Sequence, residues 1–516
     1  MHVEVELKLE MPPAALDRLR RHPFVRTHKQ GRAQSLHLHN TYYDTPDCDL
    51  ARQKAALRLR RNGTQFFQTV KTKGDHQGAH FSRPEWEWPV TGEALDVSLL
   101  AETPLASLSA PVLAAVQPLF TTDFKRTVWL LSAPEETPSW QIELTIDQGE
   151  IRPHGSTSTD SEAICEVELE LKHGTPRDLY HAALTLTEGL PVRISVHSKA
   201  ERGYALARPR PSRAHKGSAP ALKKNDTVAE ALQSIGQACL GHALLNEPLL
   251  RRLRHPEAVH QMRVALRRFR SALSVFKPVL GSPASLRVKD DLRWLAGELG
   301  DARDLDVFSD EILAPATAAL GDGIDLSPLQ SLISHRRELA YQRALEALES
   351  PRSGQTLLHA AAWLENGDWL TPDAPEQQAI LNGSLRPFAR QLLDHRLKSV
   401  LRAGQHFGTL DSLARHAVRI EVKKLRYTCE FFSSLFSEKK QADFNATLSD
   451  LQEHLGAIND AAVARQKLSA IAQEGPADLT LACGAVIGWH QAHMEDTIKD
   501  CGKSWKQFQK QEPFWH

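Results

Sequence analysis

The chain has 516 residues, 41% of them hydrophobic and 24% charged, with a formal net charge of +0. That length exceeds one ordinary core and implies two or three domains. The neutral balance excludes a single-sign field that would draw the whole molecule to nucleic acid or an anionic membrane, so any anion-binding surface must be local.

The six cysteines, Cys48, Cys165, Cys239, Cys429, Cys483 and Cys501, form no CxxC pair and read as reduced thiols, not as a disulfide framework or a zinc site. The first ten residues already alternate charge and show no signal peptide. The least polar stretch, 97–116, contains Glu102, Pro104 and Pro111 and is too interrupted to span a bilayer. A cytoplasmic protein with no membrane partner is expected.

In chain order, HVEVELKL (2–9) alternates Glu4, Glu6 and Lys8 with Val3, Val5, Leu7 and Leu9, the period of a strand with one buried face. ALRLRR sets Arg58 and Arg60 against Leu57 and Leu59, and QTVKTKG puts Lys71 and Lys73 together. SRPEWEWPV opposes Arg83, Glu85 and Glu87 to Trp86 and Trp88. QIELTIDQG opposes Glu143 and Asp147 to Ile142, Leu144 and Ile146, and ICEVELELK opposes Glu166, Glu168 and Glu170 to Cys165, Val167, Leu169 and Leu171.

One such strand would be an ordinary solvated face. Several in succession, with acids concentrated in the first and last and bases between, fit a closed antiparallel barrel with an apolar outside covered by helices and a charged lumen. Like charges in a lumen lose hydration and repel one another unless something fills it. Clustered carboxylates are relieved by a hard divalent cation, and clustered Arg and Lys by a polyanion such as phosphate.

The ordered set E-x-E-x-K, R-x-R, K-x-K, R-x-E-x-E and E-V-E-L-E resembles the CYTH family, the triphosphate tunnel metalloenzymes. YYDTPD (42–47), TDFKR (122–126) and SKAERGYAL (198–206) look like further signatures, so the resemblance covers nearly all of 1–207. It implies an eight-stranded antiparallel tunnel that acts on triphosphates with Mg²⁺ or Mn²⁺. By the same resemblance Glu4, Glu6, Glu166 and Glu168 would hold metal, with Glu143 and Asp147 near the same ion. Lys8, Arg58, Arg60, Lys71, Lys73, Arg83 and Arg126 would bind the phosphate chain. Glu85 and Glu87 would bind metal, orient the bases or position water. Ser198 and Glu201 form a capping-box pattern that places Lys199 in a first helical turn, facing the phosphates by the resemblance.

Composition changes near residue 210, and the Pro, Ser, Gly and Lys content of 208–226 marks a linker, with Asp226 as a proposed helix cap. Beyond it the chain repeats itself. HQMRVALRRFR from His260 and HAVRIEVKKLR from His416 stand 156 apart, as do Gly300 and Gly456, Asp304 and Asp460, and Asp226 and Asn382. A duplicated helical unit over about 222–370 and 371–516 is expected.

On helices, His260, Arg263, Arg267 and Arg270 form one stripe, and His416, Arg419, Lys423 and Arg426 repeat it, with Glu421 and Glu430 off its axis. Arg303 has no basic counterpart, since Asn459, next to Ile458, stands 156 positions on. These helices resemble the CHAD domain over roughly 222–516, a family associated with inorganic polyphosphate. The absence of interleaved aromatic residues argues against nucleic acid.

The fold class expected is α+β multidomain: a CYTH tunnel with flanking helices (1–207), a linker (208–221) and an all-α duplicated bundle (222–516). The function expected is metal-dependent hydrolysis of tripolyphosphate to pyrophosphate and phosphate, with a polyphosphate-binding helical half that would associate the protein with polyphosphate granules. The alternatives are an adenylate cyclase, a thiamine or nucleoside triphosphatase, and a non-catalytic polyphosphate binder.

Overall fold

The computed structural model describes residues 5–72, 75–77, 80–82, 84–135, 139–155, 160–209 and 213–516. It divides into two compact units, 1–213 with 348–366, and 214–347 with 367–516.

The first unit is built on an antiparallel sheet. Its strands are β1 (Glu6–Glu10), β2 (Lys29–Asp44), β3 (Ala55–Asn62), β4 (Gln65–Thr72), β5 (Asp75–Gln77), β6 (His80–Ser82), β7 (Glu85–Val90), β8 (Gln117–Ser132), β9 (Gln141–Pro153), β10 (Glu162–His173) and β11 (Arg193–Ile194). They lie in the order β5-β6-β1-β10-β9-β8-β2-β3-β4-β7, with β11 against β1. Eleven segments thus stand, among the described residues, where the resemblance implied eight strands. The difference lies in the β4–β7 hairpin, whose two arms continue as β5 and β6, and in the two-residue β11. β6 pairs with β1 while β7, further along the same arm, pairs with β4.

Alternation in these strands sorts the side chains as expected. Leu7, Leu9, Leu57, Leu59, Leu144, Ile146, Val167 and Leu169 are buried on one face. Helices α1 (Pro13–Arg20), α2 (Pro23–His28), α3 (Asp49–Arg52), α4 (Ala110–Ala114) and α5 (Pro176–Thr187) lie around the sheet. The opposite face is charged over part of its length only. Toward one end it becomes apolar through Leu38, Tyr42, Phe120, Phe124, Ile151 and Ile164, and helix α6 (Lys199–Ala207) packs there through Ala200 and Tyr204. Gly203 makes this seat possible, because a Cβ there would lie 2.0 Å from the Phe120 ring. Asp44 of YYDTPD accepts from the backbone N–H of Thr45, Leu50 and Ala51 and from Tyr204 Oη at 2.8 Å, so two sequence signatures meet at one buried carboxylate.

The second unit is helical: α7 (Val228–Leu253), α8 (Pro256–Val275), α9 (Pro283–Glu298), α10 (Gly300–Val307), α11 (Ala314–Leu320) and α12 (Ser327–Glu349). After α13 (Pro351–Asn366) come α14 (Pro375–Leu381), α15 (Leu385–Ala403), α16 (Ser412–Phe432), α17 (Glu438–Glu474) and α18 (Ala477–Phe508). The repeat matches α7 with α15, α8 with α16 and α12 with α18. The third element is one long helix, α17, in the second copy. In the first copy it is broken into α9, α10, a π turn at Phe308–Leu313 and α11. A β-bridge between Thr227 and Ser384 ties the starts of the two copies together. The cap of α7 is Thr227 in a capping box with Glu230, not Asp226, whose carboxylate instead accepts from Lys223 N–H.

Helix α13 falls inside the range expected for the first helical copy, yet it belongs to the sheet unit. Its apolar stripe, Leu357, Leu358, Ala361 and Leu364, is buried, and it packs on α5. No described helix is long and apolar enough to cross a membrane. All six cysteines are free thiols.

Candidate functional site

Strand register brings the sheet's charges together. Lys8 stands opposite Glu168 on β10, Glu166 opposite Asp147 on β9, and Asp147 opposite Arg126 on β8. On the far side of the sheet Tyr42 stands opposite Arg58, Arg58 opposite Thr69, Thr69 opposite Glu87 and Lys71 opposite Glu85. Directly opposed residues share a face, so acids and bases from both ends of the row line the same side.

The acidic centre is the trio Asp147, Glu166 and Glu168, each offering a carboxylate oxygen within 4.8 Å of the others. Asp147 and Glu166 are fully buried. Arg126, Lys199 and Lys8 pair with the trio from the sheet and from α6. Arg126 grips Asp147 with two bonds of 2.8 and 2.7 Å and reaches Glu168 at 2.7 Å. Lys199 Nζ lies 2.9 Å from Asp147, 2.5 Å from Glu166 and 3.0 Å from Glu168. Lys8 Nζ lies 3.0 Å from Glu6 and 3.6 Å from Glu168. Burial alone would raise the Glu168 carboxyl, but the ammonium groups of Lys199 and Lys8 and the Arg126 guanidinium outweigh it and hold it well below the usual carboxylate range.

The basic centre is looser. Lys71 Nζ lies 2.7 Å from Glu85, and Arg58 lies 3.5 Å from Glu85. Arg60 lies 3.5 Å from Glu87 and donates to Asn40 at 3.2 Å. Burial and the neighbouring Arg58 charge push Arg60 down to about 10, with Glu87 offsetting only part of the fall.

Of the residues singled out in this half, Glu4, Lys73 and Arg83 lie outside the described residues. Glu143 stands opposite Glu170, four residues along β9 from Asp147 and outside the trio. Lys199 and Arg126, expected to face phosphate, are paired with the acids. The capping box of Ser198 and Glu201 forms as expected and sets Lys199 at the start of α6.

Two residues that sequence reasoning passed over are central. Arg202 donates to Glu162 at 2.6 Å, to the Ala163 carbonyl at 2.6 Å and to Glu166. Glu10 accepts from Arg193 at 3.1 Å and from Ser195 Oγ at 2.9 Å. The signals were present: Glu10 continues the alternation of Glu6 and Lys8, and Arg202 lies one turn after Lys199.

The trio fits a hard divalent cation in chemistry, since all its donors are carboxylate oxygens that converge from two adjacent strands.

In the helical unit the two stripes meet. Arg267 Nε donates to Tyr427 Oη of α16 at 2.6 Å, and Arg267 raises the local positive potential felt by Arg419 and Lys423. The repeat preserves the ion pairs: Arg263 lies 3.9 Å from Asp304, and Arg419 lies 3.5 Å from Asp460. Arg263 also donates to the Ala296 carbonyl at 2.5 Å, passing close to Gly300, where a Cβ would lie 3.1 Å from its Nη1. Burial and the guanidinium of Arg303 push His260 down to about 4, so it is neutral at pH 7. His416 Nδ1 lies 2.6 Å from Asn459, the residue at the place of Arg303. Glu430, read from sequence as off the stripe, pairs with Arg426 at 3.0 Å. Burial and the guanidinium of Arg293 on α9 push Arg270 down, partly offset by Asp290.

An antiparallel sheet whose one face joins buried carboxylates to a band of cations, followed by a twofold-repeated helical unit with a basic seam, defines a two-domain protein built around charge. Residues 2–204 match the CYTH domain family and residues 234–469 the CHAD domain family. The chain carries a CYTH domain followed by a CHAD domain.

An inorganic triphosphatase of Haemophilus influenzae is 37% identical over 175 residues, which are 34% of this chain and 47% of that protein. An uncharacterized protein of Mycobacterium tuberculosis is 29% identical over 176 residues, 33% of each. The chain therefore spans about half the length of the first relative and a third of the second. The crystal structure of a CHAD domain from the plant Ricinus communis is 31% identical with a TM-score of 0.51, covering 58% of this chain and 98% of that one.

Proposed function

We propose that the CYTH domain hydrolyses inorganic tripolyphosphate to pyrophosphate and phosphate with Mg²⁺ or Mn²⁺, and that the CHAD domain binds inorganic polyphosphate. The observation that carries the first part is the shared sheet face, with three convergent carboxylates on one side and Arg58, Arg60 and Lys71 on the other. The pairing of β6 with β1 and of β7 with β4 supports closure of that face into a tunnel. The similarity to the Haemophilus triphosphatase supports the reaction class.

On this reading Glu4, Glu6, Glu166 and Glu168, with Asp147 and Glu143 nearby, would hold the ion. When bound, it supplies Lewis-acid polarisation of a phosphoryl oxygen. The transition state of phosphoryl transfer is loose and spreads charge over its equatorial oxygens, so positioning and charge neutralisation do most of the work. Arg58, Arg60 and Lys71, together with Lys73 and Arg83, would hold the chain of phosphates. Glu85 and Glu87 would keep Lys71, Arg58 and Arg60 extended in the interior through the pairs described. Lys8, Arg126 and Lys199 would stabilise the terminal phosphoryl group beside the acids.

For the CHAD domain, the seam of Arg263, Arg267, Arg419 and Lys423, flanked by His260, Arg270, His416 and Arg426, would follow an extended polyanion. Cations left with depressed proton affinity, as at Arg263, Arg419 and Lys423, gain most from an incoming anion.

The test is phosphate release from tripolyphosphate, ATP, thiamine triphosphate and long polyphosphate with Mg²⁺, Mn²⁺ or EDTA. Chelator-sensitive preference for tripolyphosphate is expected. Preference for ATP with release of pyrophosphate would replace hydrolysis by cyclase chemistry, and turnover of nothing would leave a polyphosphate receptor.

A further inference from the structure

We infer that helix α13, supplied from within the CHAD sequence, is a positioning element of the CYTH site. It sets the segment 187–198 that delivers Lys199 and Arg202 to the carboxylate trio. The inference rests on the triphosphatase reading for what the site does, but not for where the helix lies.

Three features carry it. Gln355 donates its side-chain amide to both the Thr187 carbonyl at 2.7 Å and Thr187 Oγ1 at 3.0 Å, at the C-terminal end of α5, where carbonyls lack helical partners. One residue earlier, Gly354 presses its bare backbone on the next turn of chain: a Cβ there would lie 1.9 Å from the Val192 carbonyl oxygen. The stripe of Leu357, Leu358, Ala361 and Leu364 is buried, so the apolar face of α13 is fully covered where it packs on this unit.

What α13 holds leads directly to the site. Immediately after Val192, Arg193 and Ile194 pair with Glu10 and Leu9 of β1. Ser195 then donates its N–H to the Lys8 carbonyl at 2.9 Å and its hydroxyl to Glu10. Ser198 caps α6, and Lys199 and Arg202 follow on its first turns. The stretch from Val192 to Lys199 is too short, and too fully hydrogen-bonded, to absorb a displacement at α13 without passing it on. The chain reaches α13 from Ala347 and leaves it at Gly367, both of which belong to the helical unit. A segment of CHAD sequence is therefore part of the scaffold of the CYTH site.

The test uses the full chain with Gly354→Ala, Gln355→Ala and, on the exposed side of α13, His359→Ala as control. Turnover of tripolyphosphate is measured as kcat and KM. Mn²⁺ binding without substrate is measured by electron paramagnetic resonance, and folding by far-UV circular dichroism at a temperature where each variant is native.

Displacements of order 1 Å can lower turnover by about 100-fold. Gly354→Ala and Gln355→Ala are expected to keep the native spectrum, to lose at least about tenfold in kcat/KM and to show altered Mn²⁺ affinity, with His359→Ala unchanged. Folded variants with wild-type kinetics and wild-type Mn²⁺ binding would overturn the inference, as would an equal loss in His359→Ala. Should Gly354→Ala not fold, Gln355→Ala, which introduces no atoms, decides alone. A wild-type chain that turns over no tripolyphosphate would refute the functional reading, while the Mn²⁺ measurement would still judge the positioning.

Discussion

Lys199 Nζ and Asp147 Oδ2 lie 2.9 Å apart, joining the first turn of a helix to the middle of a strand whose carboxylate has no solvent exposure. The same ammonium touches Glu166 and Glu168, so one cation serves three acids, two of them fully buried. Lys199→Met should therefore strip the trio of charge balance. Removing one partner of a buried ionic cluster costs about 3–5 kcal/mol, seen as a lower melting temperature in EDTA. Mn²⁺ should restore more of that loss in the variant than it adds to the wild type. Equal shifts in both proteins would mean that the trio does not take a cation.

The seat of α6 depends on Gly203. Gly203→Ala forces a methyl group into the Phe120 ring and should lower stability by about 1–3 kcal/mol, the usual range for overpacking. Pairing it with Phe120→Leu should recover part of the loss in urea denaturation. No recovery would place the strain elsewhere than at this ring.

Arg263 and Arg419 occupy equivalent places in the two helical copies, each beside an aspartate of the following element. Changing both to Ala should weaken binding of long polyphosphate. The slope of log affinity against log salt should fall by roughly one for each phosphate that is no longer neutralised. Fluorescence titration across several salt concentrations reads both quantities. An unchanged slope would remove these residues from the polyanion seam.

Lys423 gives a pH signature. Burial and the guanidiniums of Arg419 and Arg267 push it down to about 7 from an ordinary 10.5. Between about pH 7 and 10 the unfolded chain holds this proton and the folded chain does not, so its contribution to stability rises with pH through that window. A bound polyanion favours the charged amine. Polyphosphate binding should then take up a proton above about pH 7 and weaken as pH rises further, as calorimetry in buffers of different ionisation enthalpy would show. Lys423→Met should abolish the uptake, and uptake that persists would assign it to another group.

Much of the site was legible as parity. Glu166 with Glu168, and Arg58 with Arg60, share faces because successive side chains of a strand point to opposite sides whatever surrounds it. The 156-residue repeat likewise located the basic stripes before any helix was placed. The pairing of those charges was not legible. That Lys8 meets Glu168, and Arg126 meets Asp147 and Glu168, depends on β1, β10, β9 and β8 lying side by side, and no local pattern encodes that order. The resemblance points Arg126 and Lys199 toward phosphate, and the structure adds that both are paired with the acids of the trio.

By itself the sequence determined the charged strands, the amphipathic helices, the duplication and the capping of α6, all of which arise within a few residues through backbone geometry and near-neighbour hydrogen bonds. Only the tertiary structure decided which acids converge, that Arg202 and Glu10 join them, and that α13 leaves the helical copy for the sheet unit. Its stripe of Leu357, Leu358, Ala361 and Leu364 would suit any apolar surface. Its seat here is fixed by the close approach of Gly354 to Val192 and by two hydrogen bonds to Thr187 at the end of α5, interactions between residues more than 150 positions apart whose energy exists only once the chain has folded.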